Sequence, residues 1–315
     1  MVLMSRFRRI VTHSGPFHAD DVLAVAVLKG LAPDASIIRT RDQGLLCEAT
    51  AEPSTIVVDV GQAFDPALGN FDHHQKSFTK VRENGVPFAS IGLVWERYAD
   101  DWLREVMGLE AASDRAAVRT LMDLDLVQSV DALDCGVVSG ELRVRDGVAL
   151  RVPSVADWVG SYNPTWESDP SFDACFVEAM EMGGALLRRY AHRALSEVRF
   201  GEVVRARDDG SPVLVLDAAG PWRRYVAPHH RVVIFPATGE DGWLAQAVGD
   251  PESTVFPPPL RIEYPLAWRG RSEEELRALT GVADATFCHR AGFIAGALSR
   301  DGARALAARL LVFEG

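Results

Sequence analysis

The stretch FDHHQ, residues 71–75, places a carboxylate, two imidazoles and an amide on successive positions. Only eight of the 315 residues are histidine, so the adjacent pair His73 and His74 stands out. A second polar stretch, THSGPFHADD, offers His13, His18, Asp20 and Asp21. Asp59 follows the apolar run TIVV, and VDALDCG offers Asp131 and Asp134. Mixed imidazole and carboxylate donors suit Mn²⁺, Fe²⁺, Co²⁺ or Zn²⁺ better than Ca²⁺, which takes oxygen ligands throughout. Carboxylates gathered in one cleft repel one another unless cations neutralise them. The supply of ligands exceeds the needs of one ion. Two ions roughly 3.5–4 Å apart, sharing a bridging aspartate, would use it and would favour attack by hydroxide on a phosphorus.

Each piece alone has a plainer explanation. Paired histidines in loops usually face solvent, and an aspartate after a strand is commonly a turn or helix cap. Asp134 also fits a helix end before Gly136. The weight lies in the joint occurrence of the four pieces, in this order, on one pattern of elements. RRIVTH (8–13) reads as a short strand ending at His13, and the start of the chain, MVLMSRFRRIVTH, reads as strand rather than as a secretory leader. DVLAVAVLKGLA (21–32) suits a buried helix, and SIIRTR (36–41) and STIVVDVG (54–61) read as further strands. Strands alternating with helices imply a parallel sheet, which binds ligands beyond its strand carboxyl ends, where His13 and Asp59 fall.

Residues 89–134 carry helical periodicity, NPTW (163–166) breaks the chain, and residues 172–198 read as a long helix. Beyond it SPVLVLDAA, HRVVIFPA, GWLAQAV and LRIEYPL read as short strands, with SEEELRALTG and DGARALAARLL as capped helices. A chain of this length is expected to divide into two domains. The net charge of −11 argues against wrapping long duplex nucleic acid, which needs clustered cations. No apolar run approaches the roughly 20 residues that cross a bilayer. Four cysteines (Cys47, Cys135, Cys175, Cys288) without framework spacing read as reduced thiols, consistent with a cytoplasmic protein. Three lysines against thirty arginines fit a GC-rich bacterial genome.

The motifs THSGPFHADDVLA (12–24), VVDVGQAFDP (57–66), FDHHQKSF (71–78), VDALDCG (130–136), NPTW (163–166) and FCHRAGFIAGALSRDGARALA (287–307) together resemble the DHH phosphoesterase superfamily. Within it the sequence looks closest to the melanocyte proliferating gene family of DHH-like hydrolases. The resemblance implies two divalent ions, Mn²⁺ ahead of Mg²⁺, Co²⁺ or Zn²⁺. One would be held by His13, His18 and Asp59. The other would be held by Asp20, the bridging Asp59, His73 and either Asp131 or Asp134, with Asp131 ranked first. The superfamily's usual first motif has an aspartate in the role that falls to His18 in this chain. Asp21 then reads as a helix N-terminal residue, favourable with the dipole.

By the same analogy His74 points at the substrate, and Asp72 orients a neighbouring histidine. Gln75 and Lys76 are candidate phosphate contacts. A C-terminal domain would grip the substrate with His289, Arg290, Arg261 and Arg269, and Trp222, Trp268 and Phe293 are candidates for stacking a base. The expected fold is α/β: a DHH-like parallel-sheet catalytic domain (1–165), a connecting helix (166–198) and a smaller α+β substrate-binding domain (199–315). The expected activity is 3′-to-5′ exonucleolytic hydrolysis of RNA or short oligonucleotides by metal-activated water. The competing readings are a phosphatase or pyrophosphatase for small phosphate esters, and a metal-binding protein without catalysis. No membrane association is expected, and a homodimer is left open.

Overall fold

The computed structural model describes residues 7–138, 141–143, 149–168, 171–239, 241–250, 253 and 258–313. The first six residues of the expected N-terminal strand lie outside these. Two compact units divide the chain, Met1–Leu195 and Ser196–Gly315.

Unit 1 is built on β1 (Arg9–Thr12), α1 (Ala19–Leu31), β2 (Ser36–Arg39), α2 (Gln43–Ala51), β3 (Thr55–Val58), β4 (Phe64–Asp65) and β5 (Asn70–Phe71). The sheet order is β2-β1-β3-β5-β4, parallel except for the β4–β5 pair. β3 is buried along its whole length, as its unbroken TIVV pattern requires of a strand covered on both faces. Helix α1 is buried continuously from Ala19 to Leu28, so its apolar character runs around the helix rather than along one stripe. It packs chiefly on α3 (Ser90–Glu105), whose Trp95 and Trp102 are fully buried. The helical pattern over 112–134 resolves into α4 (Ala112–Met122), one π-helical turn (Asp123–Val127) and α5 (Gln128–Asp134). A short hairpin, β6 (Glu141–Arg143) and β7 (Ala149–Arg151), precedes α6 (Val155–Gly160).

Sheet register decides what meets at the carboxyl edge. β1 pairs with β3 through Val11 and Val57, and β3 pairs with β5 through Val58 and Phe71. Continuing those registers past the strand ends sets His13, Asp59 and Asp72 in one row, with neighbouring strands about 4.8 Å apart. β2 lies on the other side of β1, with Thr12 opposite Arg39, so Thr40 and Arg41 leave at the same edge.

α7 (Phe172–Arg207) is nine residues longer than the helix expected from the sequence, and the boundary between the units falls within it. Unit 2 contains β8 (Val213–Val215), β9 (Val232–Pro236), β10 (Trp243–Ala247), α8 (Glu273–Thr280), β11 (Ala285–Cys288), β12 (Ile294–Ala297) and α9 (Arg300–Phe313). Its sheet order is β11-β12-β10-β9-β8, antiparallel except for β8–β9.

Two expectations about unit 2 need correction. LRIEYPL forms no strand beyond one isolated bridge between Leu260 and Gly249, because Pro259 precedes it and Pro265 lies within it, and neither can donate to a ladder. β11 and β12 come instead from the Cys-His-Arg-Ala-Gly region, where glycine and alanine hide the strand pattern. Gly296 is required there, since a Cβ would fall 2.5 Å from the Phe287 ring.

Candidate metal centre

His13 follows β1, Asp59 follows β3, and Asp72, His73 and His74 follow β5, so three neighbouring parallel strands deliver them to one edge. Asp59 adopts φ 58°, the left-handed region that aspartate tolerates better than most residues. Its carboxylate there lies 3.3 Å from His13 Nε2 through Oδ2 and 3.3 Å from His73 Nε2 through Oδ1. Ser90, buried at the start of α3, donates its hydroxyl to Asp59 Oδ1 at 2.9 Å.

The α1 N-terminus supplies the next group. The His18 amide donates to Asp21 Oδ1 at 2.8 Å, which closes the first turn and aims Asp20 inward. Asp21 is more than a helix-terminal charge, since its Oδ2 lies 3.2 Å from His13 Nε2. The turn is tied down from far along the chain: Asn163 accepts from the Phe17 amide at 3.0 Å and donates to the Phe17 carbonyl at 2.9 Å. The asparagine of NPTW thus positions the loop that carries His18.

Helix α5 gives the two aspartates different surroundings. Asp134 Oδ2 lies 3.3 Å from His73 Nε2. Asp131, ranked first from sequence, is fully buried on another side of the helix. There its Oδ2 lies 2.8 Å from Arg82 Nη2, and its Oδ1 accepts from the Gly92 amide at 3.1 Å. A Cβ on residue 92 would fall 2.0 Å from Asp131 Oδ2, so glycine is what admits this carboxylate. The two aspartates three apart therefore do different jobs, and Asp134 is the one at the centre.

Among the described residues of unit 1, four sets of ligand atoms lie within 4.8 Å of one another: His13, His18 and Asp59; Asp59, His73 and His74; His73, Asp134 and Cys135; and His18, Asp20 and Asp134. They interlock through His18, Asp59, His73 and Asp134. Ligand atoms each about 2.1 Å from one ion stand roughly 3.0–3.5 Å apart, close to the contacts around His73 and His13. Both Asp20 oxygens, Asp21 Oδ2 and His73 Nε2 are buried without a hydrogen-bond partner. A fully buried carboxylate without a donor is costly unless a cation faces it. The donor set therefore fits divalent ions.

The electrostatics agree. Burial, reinforced by Asp59, Asp134 and Asp21, pushes the Asp20 carboxyl well above the usual range. Burial opposes the His13 cation, yet Asp21 and Asp59 outweigh it and push the imidazole up to about 9. His73 is driven up to about 12 against burial, by Asp134 and Asp59 first. Burial likewise works against the Asp59 anion, but His13 and His73 hold its carboxyl below the ordinary range. The cluster draws positive charge, which protons supply when no metal does.

Around this centre, Asp72 accepts from the Gln62 amide at 2.6 Å and from His74 Nδ1 at 2.8 Å. Asp72 thereby raises the pKa of His74, whose side chain is half-exposed. Cys135 Sγ lies 3.9 Å from His73 Nδ1. Arg41 Nη2 lies 3.0 Å from His13 Nδ1, and its Nε donates to the Ser14 carbonyl at 3.1 Å. Arg41, Arg82, Ser90 and Asn163 were not named as site residues from sequence. Arg41 had a signal, since it leaves the sheet edge that carries His13.

Two cavities in unit 1 flank the ligands. One of about 900 Å³ is lined by His18, Asp20, Val130, Asp134 and Asn163, and one of about 200 Å³ by His13, Arg41, Asp59, Gln62 and His74. Lys76 and Gln75 line neither; Lys76 is exposed.

In unit 2 the expected substrate residues divide. Arg261 donates to the carbonyls of Ala227 and His230 at 2.7 and 2.9 Å, and Arg269 donates to Tyr264 O and Glu263 Oε2, both at 2.7 Å. These guanidinium groups hold loops of their own unit together. Trp222 and Trp268 are core residues at 2% and 5% exposure, which removes them as stacking platforms. His289 and Arg290 are exposed, and the His289 ring lies 4.6 Å from that of the half-buried Phe293.

The model of an uncharacterised protein family, UPF0160, the MYG1 exonuclease model, matches residues 9–311. The chain belongs to the MYG1 exonuclease family. This is the melanocyte proliferating gene family that the motifs resemble. The MYG1 protein of Dictyostelium discoideum is 30% identical over 96% of both chains. The MYG1 protein of Schizosaccharomyces pombe is 30% identical over 98% of this chain and 99% of its own. The human MYG1 exonuclease is 32% identical over 95% of this chain and 84% of its own. These MYG1 relatives are eukaryotic and lend no support to a bacterial source. A solved structure titled a pGpG-specific phosphodiesterase, PggH, aligns over 98% of this chain at 13% identity, but its TM-score of 0.25 is too low to compare folds. Among the described residues no helix is long and apolar enough to cross a membrane.

Proposed function

We propose that this MYG1 family member is a metal-dependent phosphodiester hydrolase that removes nucleotides from the 3′ end of RNA or short oligonucleotides. The observation that carries the reading is the buried Asp20 carboxylate, without a hydrogen-bond donor, in a ring of three histidines and two further aspartates. His13, His18 and Asp59 would hold one ion, and Asp20, Asp59, His73 and Asp134 the other. Mn²⁺ suits this mixed nitrogen and oxygen set. Bound divalent ions supply Lewis-acid charge to phosphoryl oxygens and lower the pKa of water.

The chain's own residues add the remaining functions. Asp72 keeps a proton on His74 Nδ1 and favours the imidazolium, so the exposed edge of His74 can donate to a phosphoryl or leaving oxygen. Asp21 and Ser90 hold His13 and Asp59 in place. The cavity of about 900 Å³ beside Asp20 and Asp134 accommodates a nucleotide, which favours a nucleic-acid substrate over pyrophosphate. The exonuclease name of the human relative points the same way.

The test is a time course on short RNAs blocked at either end, using protein stripped of metal and then supplied with Mn²⁺. Stepwise shortening from a free 3′ end, only with Mn²⁺ present, is the expected result. Intact RNA alongside hydrolysed pyrophosphate would replace this reading with the phosphatase one.

A further inference from the structure

We propose, on the reading of the centre as a phosphodiesterase site, that the cavity of about 200 Å³ between β1, β3 and the His74 loop is a phosphoryl pocket in which Arg41 grips the anion. The cavity is lined by His13, His18, Arg41, Asp59, Asp72 and His74, with Arg41 the one Lys or Arg side chain among the described residues that line it. Its volume lies below the range of roughly 300–1,000 Å³ that houses drug-sized ligands, so it suits a tetrahedral oxyanion rather than a nucleoside.

The arginine is placed for this. It is exposed, and among the described residues no carboxylate lies within ion-pair distance of it. The neighbouring arginines differ: Arg39 pairs with Asp173 at 3.0 Å, and Arg82 pairs with Asp123 and Asp131, both at 2.8 Å. In a chain with 44 acidic against 33 basic residues, a guanidinium left unpaired beside a carboxylate cluster has a counter-ion to find. Its Nε donates to the Ser14 carbonyl and its Nη2 lies 3.0 Å from His13 Nδ1, and among the described residues its Nη1 has no hydrogen-bond partner.

The anionic groups of the cavity are answered from within it. Asp72 is engaged by His74 and the Gln62 amide, and Asp59 is a shared ligand in the proposed metal sets. With ions in place, Arg41 is the cationic side chain of the lining left to meet a phosphoryl oxygen, with His74, Gln43 and Gln62 as further polar neighbours among the described residues. Arginine suits that role because its planar fork matches phosphate with two parallel hydrogen bonds.

The experiment is calorimetric titration of Mn²⁺-loaded protein with inorganic phosphate, paired with Mn²⁺ titration against a competing chelator. Wild type, Arg41→Gln and Arg41→Lys are compared. Phosphate affinity should fall at least tenfold in Arg41→Gln and by less in Arg41→Lys, while Mn²⁺ affinity stays within about threefold. Unchanged phosphate affinity in Arg41→Gln overturns the proposal. A parallel loss of Mn²⁺ affinity also overturns it, because Arg41 would then only brace His13. Wild-type protein that cleaves RNA without binding phosphate overturns the pocket and leaves the phosphodiesterase reading standing. Wild-type protein that does neither removes both.

Discussion

Exchanging the two aspartates of α5 separates folding from metal binding. Asp131 is 0% exposed and its Arg82 partner is 8% exposed at the side chain, so their contact is shielded from water. Removing one partner of a buried pair costs about 3–5 kcal/mol because the other charge is left uncompensated. For this pair the loss is smaller, since Arg82 keeps both bonds to Asp123 and one to the Pro87 carbonyl. The Gly92 amide, however, loses its acceptor, at a further 1–3 kcal/mol or so. Asp131→Ala should therefore destabilise the metal-free protein by about 2–4 kcal/mol, a large share of the 5–15 kcal/mol typical of a domain. Asp134→Ala should destabilise the metal-free protein by less than Asp131→Ala, because His73 keeps its contact with Asp59. Among the described residues this substitution removes no side-chain contact within hydrogen-bond or ion-pair distance other than that with His73, and it relieves repulsion on Asp20. Metal content should show the opposite pattern: full loading in folded Asp131→Ala, one ion fewer in Asp134→Ala. Urea denaturation in EDTA and elemental analysis after Mn²⁺ loading measure the two quantities. The reasoning is refuted if Asp131→Ala is as stable as wild type but short of metal.

Three further outcomes are expected. Asp59→Asn should lower Mn²⁺-supported hydrolysis by orders of magnitude while Lys76→Ala leaves it within a fewfold, because Asp59 belongs to two ligand sets and Lys76 lines neither cavity. Equal losses in a steady-state assay would remove the bridging role. His74→Ala should retain both ions by elemental analysis but lose about 10²–10⁴-fold in rate, as fits a proton donor held by Asp72; loss of an ion would make His74 a ligand. Because His13 is raised from 6.5 to about 9 in the folded protein, its contribution is complete below pH 6.5 and lost as pH rises through 9. Metal-free protein should thus lose stability on the order of 2–3 kcal/mol from this group between those limits, while Mn²⁺ affinity climbs over the same window. Denaturation midpoints that stay level in EDTA, or Mn²⁺ affinity that falls, would contradict the charge balance drawn around His13.

Much of the centre is legible in residue order because of how a parallel sheet works. Each strand ends at the same edge, so an apolar run followed by His13, Asp59 or Asp72 announces a polar group at that edge. The same logic extends to Arg41 after β2, although an arginine after a strand carries no ligand signature of its own. Unit 2 was less legible. Arginine serves backbone carbonyls as readily as phosphates, and Arg261 and Arg269 turn out to do the former. Strands β11 and β12 are masked by glycine and alanine, whose value lies in close packing rather than in a hydrophobic pattern.

From the chain alone came the family, the alternating strand–helix order and the set of polar residues that a metal centre would draw on, because residue type and spacing are local properties. The different surroundings of Asp131 and Asp134, the engagement of Asp21 with His13 and the isolation of Asp20 from any donor among the described residues came only with the fold. Each depends on which distant group arrives at the other end of the side chain: Arg82 and Gly92 for one aspartate, His73 for the other. Helical spacing limits the faces a residue can occupy, but burial and the partner waiting there determine its charge and its role.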